Sequence, residues 1–147
     1  MTRSDLEYIR TLTDLIAGSQ MHIQELRAKA FPGAIRYDDS GASKPMPRNK
    51  LEDIMCLIDQ EERRTDRLID KRHALKAQAV KEIQHAGLAI AARHILYLRY
   101  LSRQPRTGFA LEWSEGRKLV EKYHNIQRRR IYQLHHDAAA RLERYHI

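Results

Sequence analysis

NIQRRRIYQLHHDAAARL, residues 125–142, decides how the rest of the chain is read. Placed on a helix, Ile131, Leu134, Ala138 and Leu142 recur at steps of three and four and share one face. Arg129, Gln133 and His136 fall on the opposite face, with Arg130 and Tyr132 on its flanks. Asn125 precedes the apolar period and is the capping candidate, because its amide oxygen can accept an orphan backbone N–H. The pattern predicts a helix over about 126–142 with an apolar back, a basic first turn and long hydrogen-bonding side chains on its front. A major-groove reader needs such a face: Arg pairs bidentately with guanine, Gln with adenine, and the first turns of the helix reach the base edges. Arg129, Arg130 and Gln133 are the candidates for base contact. Arg117, Lys118, Lys122 and Arg128 are the candidates for phosphate contact, which fixes register without reading sequence. The competing reading is a solvated face on an ordinary surface helix.

The charge distribution points the same way. The 147 residues carry a net charge of +8, with 42% apolar and 31% charged side chains, enough for one or two small domains. Residues 86–147 hold 12 Lys and Arg against 5 Asp and Glu, whereas residues 1–85 hold 15 against 14. The basic excess therefore sits with the 125–142 helix and favours a polyanionic partner there. Cys56 is the only cysteine, so no intramolecular disulfide can form, which fits a reducing cytoplasm. Its neighbours Ile54, Leu57 and Ile58 suggest a small core residue. The opening MTRSDLEYIR has no apolar h-region, and no run approaches about 18 consecutive apolar residues, so neither a signal peptide nor a membrane partner is expected.

Upstream, residues 4–30 read as one amphipathic helix. Ser4 and Glu7 have capping-box spacing, and Leu6, Ile9, Thr13, Ile16, Gln20, Ile23 and Ala30 form a one-sided stripe. Residues 31–49 carry turn chemistry and three of the four prolines, and read as a loop. A long helix follows from Arg48 or Asn49 to about Gln84, some 50 Å at 1.5 Å per residue. Its stripe is Leu51, Ile54, Ile58, Thr65, Leu68, Leu75 and Ala79, interrupted by Glu61 and Arg72. That stripe predicts either a hairpin with residues 4–30 or a coiled coil between subunits. Residues 1–85 are thus the candidate homo-oligomerisation region.

AGLAIAARHILYLRYLS, residues 86–102, is apolar nearly all round and reads as a buried core helix. A shorter helix follows from Trp113 to about Tyr123, with Leu119 and Val120 facing inward. The order is core helix, short helix, tight turn, basic amphipathic helix, which is the layout of a helix-turn-helix unit. The fold expectation is all-α: a long N-terminal helical hairpin over 1–85 joined to a C-terminal helix-turn-helix bundle over 86–147.

RHILYLRYL, then a Trp-led helix, then IYQLHHDAAARL, resembles the C-terminal region of RinA/ArpU-type phage transcriptional regulators, whose helix-turn-helix is similar to region 4 of bacterial sigma factors. Arg99, Tyr100, Leu101, Trp113, Ile131, Tyr132, Leu134, His135, Ala138 and Leu142 carry the match. The turn Arg36-Tyr37-Asp38-Asp39 and the long charged helix resemble the family's N-terminal half. The chain departs from the pattern at Gln127, where the family has Ser or Thr, and in a longer segment from Trp113 to Val120. The resemblance implies a sequence-specific DNA-binding activator in the cytoplasm of a bacterial host, with double-stranded DNA and RNA polymerase as partners.

Other chemistries find little footing. The chain has no GxGxxG, P-loop or GxSxG motif, so no enzyme activity and no cofactor is expected. None of the eight histidines has metal-ligand spacing with another, and no Cys pair exists, so no metal site is expected. His135 is read as a packing or hydrogen-bonding residue. The alternative that stays open is an oligomeric structural or interaction protein, or a DNA clamp without sequence choice, using the basic helical end.

Overall fold

The one-sided stripes of the first two helical segments each need an apolar partner, and each is the other's. In a computed structural model that describes residues 1–31 and 47–145, helix α1 (Arg3–Ala30) lies antiparallel to helix α2 (Arg48–His85) of the same chain. The register is legible in the crossing bonds. Arg27 pairs with Glu62, Ser19 and Thr65 share a buried hydrogen bond of 2.6 Å, and Arg72 reaches Thr13 at 2.6 Å. The two polar interruptions of the α2 stripe thus have partners: Ser19 donates to Glu61 at 3.2 Å, and Arg72 also donates to the Leu101 carbonyl at 3.1 Å. Buried polar groups that are all satisfied specify one alignment, because a slip would leave each without a partner.

The remaining helices are α3 (Ile90–Leu96), which runs on as a π-helical turn Tyr97–Leu101, then α4 (Trp113–His124) and α5 (Arg128–Arg144). The all-α expectation holds: among the described residues there is no strand, only an isolated bridge between Arg103 and Ala110. One apolar cluster joins every part except α4. Leu6 and Ile9 come from α1, Ala79 and Ile83 from α2, Leu96, Tyr100 and Leu101 from α3 and its π turn, Ala138 and Leu142 from α5. The boundary between 1–85 and 86–147 is therefore a change of helix and not a break in the core. Gly87, at φ +68°, makes the turn there in a backbone region that favours glycine.

Several local expectations are corrected. The α1 cap is Thr2 and not Ser4: Thr2 Oγ1 accepts from the Asp5 N–H at 3.2 Å while Asp5 accepts from the Thr2 N–H at 2.7 Å. This reciprocal box closes two residues earlier and takes Ser4 inside the helix. Cys56 is exposed and not in the core, since it lies roughly 200° round the helix from both Ile54 and Ile58. Ile90 is 71% exposed, because Ala86 and Gly87 form the turn and leave Ile90 at the open end of a shorter α3. Only Val120 of the Leu119–Val120 pair is buried, since adjacent helical residues point about 100° apart. The expected loop over 31–49 and its Arg36-Tyr37-Asp38-Asp39 turn fall largely outside the described residues. Helix α2 already includes Arg48 and Asn49.

Candidate nucleic-acid interface

The basic C-terminal end is built on a second, smaller apolar cluster. Ile95 of α3, Val120 of α4 and Ile131 of α5 are fully buried, and Leu98, Trp113, Ile126 and Leu134 pack on them. Between α4 and α5 stand three residues, Asn125-Ile126-Gln127. Asn125 does not cap α5. It ends α4 in the left-handed conformation, φ 51° and ψ 46°, a state in which Asn is second only to Gly. The reversal this makes lets Ile126 turn back into the cluster. Gln127 takes the N-cap position of α5 without a side-chain cap bond, so the helix begins at Arg128 and two residues later than expected.

Helix α5 is held from behind. Ile131, His135, Ala138, Ala139 and Leu142 are its buried residues, with Ala138 and Leu142 in the core shared with the hairpin. His135 is the polar member of that row. Its Nε2 is hydrogen-bonded to the Tyr100 hydroxyl at 2.8 Å, and burial, aided by Arg99 and Arg3, pushes its pKa down to about 4. Arg99 lies over the Trp113 ring at 5.0 Å and the Tyr100 ring at 5.7 Å, so a cation–π stack ties α4 to the π turn. The π turn serves this arrangement, since the Ser102 N–H bonds the Tyr97 carbonyl five residues back, at 2.9 Å, just where Tyr100 and Leu101 turn inward.

The opposite face of α5 is open. Arg128, Arg129, Arg130, Tyr132, Gln133 and His136 are all exposed. No acidic residue lies in the first turn of α5, and among the described residues Arg128, Arg129 and Arg130 form no ion pair. Two of the base-contact candidates are tied to each other: Arg130 donates to Gln133 Oε1 at 3.0 Å. Arg129, to one side of this pair, is exposed and has no ion-pair partner among the described residues. Arg128 lies over the Tyr132 ring at 5.8 Å, and the Arg128 and Arg117 guanidinium donors lower the pKa of the Tyr132 hydroxyl.

The phosphate-contact candidates divide. Lys118, Lys122 and Arg128 are exposed. Arg117 is half-buried beside Glu121, 3.7 Å away, and its Nε is enclosed without a hydrogen-bond partner. It braces α4 against Tyr132 and offers less to an external anion than the other three. Sequence spacing also missed a pair. His94 Nδ1 and His124 Nε2 lie 2.9 Å apart, which ties α3 to the last residue of α4 just before the turn. Burial, then His124, lowers the pKa of His94. Among the described residues no third His, Cys, Asp or Glu joins them. Thirty residues separate the two, so no local spacing rule could have found them. Among the described residues no helix is long and apolar enough to cross a membrane. Comparison with protein-family models, with curated proteins and with solved structures returned no match.

Proposed function

We propose that the chain is a sequence-specific DNA-binding transcription regulator, an activator of phage or prophage type acting in the bacterial cytoplasm, with the first half of α5 in the major groove. The observation that carries the reading is the division of α5 into two faces. Its apolar face is anchored in two clusters, while three consecutive arginines and Gln133 stand exposed, with no acidic residue in the first turn and no ion pair to the arginines among the described residues. A cation run whose partners are neutral keeps its full charge for an external polyanion. Arg129, Arg130 and Gln133 would read base edges, and Lys118, Lys122 and Arg128 would grip phosphates on either side. RNA polymerase as a second partner follows from the resemblance to the RinA/ArpU-type regulators, and self-association through residues 1–85, suggested by the stripe of the long helix, completes the proposal.

The deciding experiment is selection of bound duplexes from a random pool, followed by Arg129→Ala. The variant is expected to lose roughly 5- to 150-fold in affinity for the selected site and far less on random DNA. A pool that yields no consensus would instead favour a clamp without sequence choice.

A further inference from the structure

Away from α4 and α5, three cations meet without a counter-charge. Arg72 and Lys76 stand one turn apart on α2, and Arg103 opens the 103–110 turn. Arg72 is held in place: its Nε donates to Thr13 Oγ1 at 2.6 Å and its Nη2 to the Leu101 carbonyl at 3.1 Å. Both acceptors are neutral, and an arginine carries five N–H donors, so most of its donor capacity is left over. Among the described residues none of the three cations forms an ion pair. Asp14, beside Thr13 on α1, is engaged by the Ala110 backbone N–H at 2.8 Å. Burial, then Arg103, lowers the pKa of Arg72; burial, then Arg72 and Arg103, lowers that of Lys76. Three like charges gathered at the edge of a core destabilise one another unless an anion joins them.

There is room for that anion. Arg72, His73 and Arg103, with Thr13 and Gln20, line a cavity of about 140 Å³ between α1, α2 and the turn. That is the space of four or five waters at roughly 30 Å³ each, enough for a tetrahedral oxyanion but too little for a nucleotide. The cavity shares Gln20, Arg103 and Gly108 with a wider groove that continues past Gln24, Gln104 and Phe109. The groove therefore offers amide groups and an aromatic ring next to the cationic end.

We propose that the cavity is an oxyanion site that takes the phosphate of a small phosphate monoester, whose organic part lies in the adjoining groove. A guanidinium fixed in position and a second one on the cavity wall suit a dianionic head with several acceptor oxygens better than a single carboxylate. None of the residues involved belongs to α4 or α5, so the site stands or falls independently of DNA reading. Occupancy would cross-link α1, α2 and the 103–110 turn and stabilise the folded chain by mass action.

The test is thermal melting of the full chain, titrated with inorganic phosphate and with ribose 5-phosphate, against sodium chloride at matched ionic strength. Wild type is compared with Arg103→Gln and Lys76→Gln. The melting temperature is expected to rise by roughly 3 °C at about five times the dissociation constant. Ribose 5-phosphate should act at lower concentration than inorganic phosphate. Arg103→Gln should need at least about ten-fold more ligand for the same rise, since it removes a charge-assisted contact, and Lys76→Gln, outside the cavity wall, only a few-fold more. Without ligand, Arg103→Gln should melt no lower than wild type, because a repulsion has gone. An equal rise with chloride, or variants that respond like wild type, would overturn the site. Equal potency of the two phosphates would overturn the monoester assignment. Loss of duplex binding in Arg103→Gln would place that residue on a DNA track and also overturn the proposal.

Discussion

Helices α2 and α5 both carry exposed arginines, but their surroundings differ. On α2, Arg48, Arg63 and Arg64 sit beside Glu52, Asp59 and Glu61 at three- and four-residue spacing. On α5, Arg128, Arg129 and Arg130 follow one another with no acid in the first turn. These three α2 charges cancel locally and leave a solvated face. The α5 charges add, at the end of the molecule where Lys118 and Lys122 are also exposed. An arginine run is thus informative through what stands beside it, since paired ions on a surface contribute little field at a distance and unpaired ones contribute all of theirs.

The largest expected effect concerns the apolar side of that comparison. Leu142 is fully buried in the cluster that also holds Leu6, Ile9 and Ile83. Leu142→Ala should cost about 2–5 kcal/mol through lost burial and the cavity left behind. Because the hairpin and α5 share this core, urea unfolding should be a single transition. Circular dichroism, dominated by the long helices, and fluorescence of Trp113, the sole tryptophan, should report the same midpoint. Midpoints that separate would mean the two regions fold as independent units.

A smaller effect follows from His135. Its folded pKa is about 4 against an ordinary 6.5, so the unfolded chain binds the proton more readily. Stability is then full above about pH 6.5 and falls as the pH drops towards 4, by at most about 3 kcal/mol at 1.36 kcal/mol per unit. His94, shifted in the same direction, adds to this slope. Urea midpoints at several pH values should show the decline, and His135→Gln should flatten most of it. A wild-type profile level across this range would mean that the charged imidazole is accommodated between Tyr100 and Arg99.

The smallest effects sharpen the contrast between the two charge runs. If about six phosphates are neutralised, log affinity for duplex DNA should fall against log salt with a slope near −5. Lys122→Ala or Arg128→Ala should reduce that slope by about 1, uniformly across DNA sequences. Arg63→Ala should leave it unchanged and cost no more than about 0.5 kcal/mol of stability, the usual worth of an i,i+4 pair. A slope insensitive to both kinds of substitution would remove the distinction between α2 and α5 in DNA binding.

The legible features were those whose cause is local. Apolar residues three and four apart announced α1, α2 and α5 and the face each would bury, because a helix repeats every 3.6 residues. His135 was expected to pack or to hydrogen-bond, and it does both, bonding Tyr100 from the buried row of α5. Capping was harder, because one residue type serves opposite ends. Asn125 has the side chain of an N-cap and also the tolerance for left-handed backbone of a C-cap. Which role it takes depends on where Ile126 finds its apolar neighbours, and these lie on α3 and α4.

By itself, the amino-acid order determined that the chain is all-helical, where the long helices run, and that positive charge gathers in its last 62 residues. These follow from periodicity and composition, which act between near neighbours. Only the tertiary structure decided that α1 is the partner of α2 within one chain, that α5 is anchored in the same core, and that His94 meets His124. It alone brought Arg72 and His73 to Arg103 around one cavity. Such meetings depend on which faces are brought together when apolar surface leaves water, and that outcome is settled across the whole chain at once.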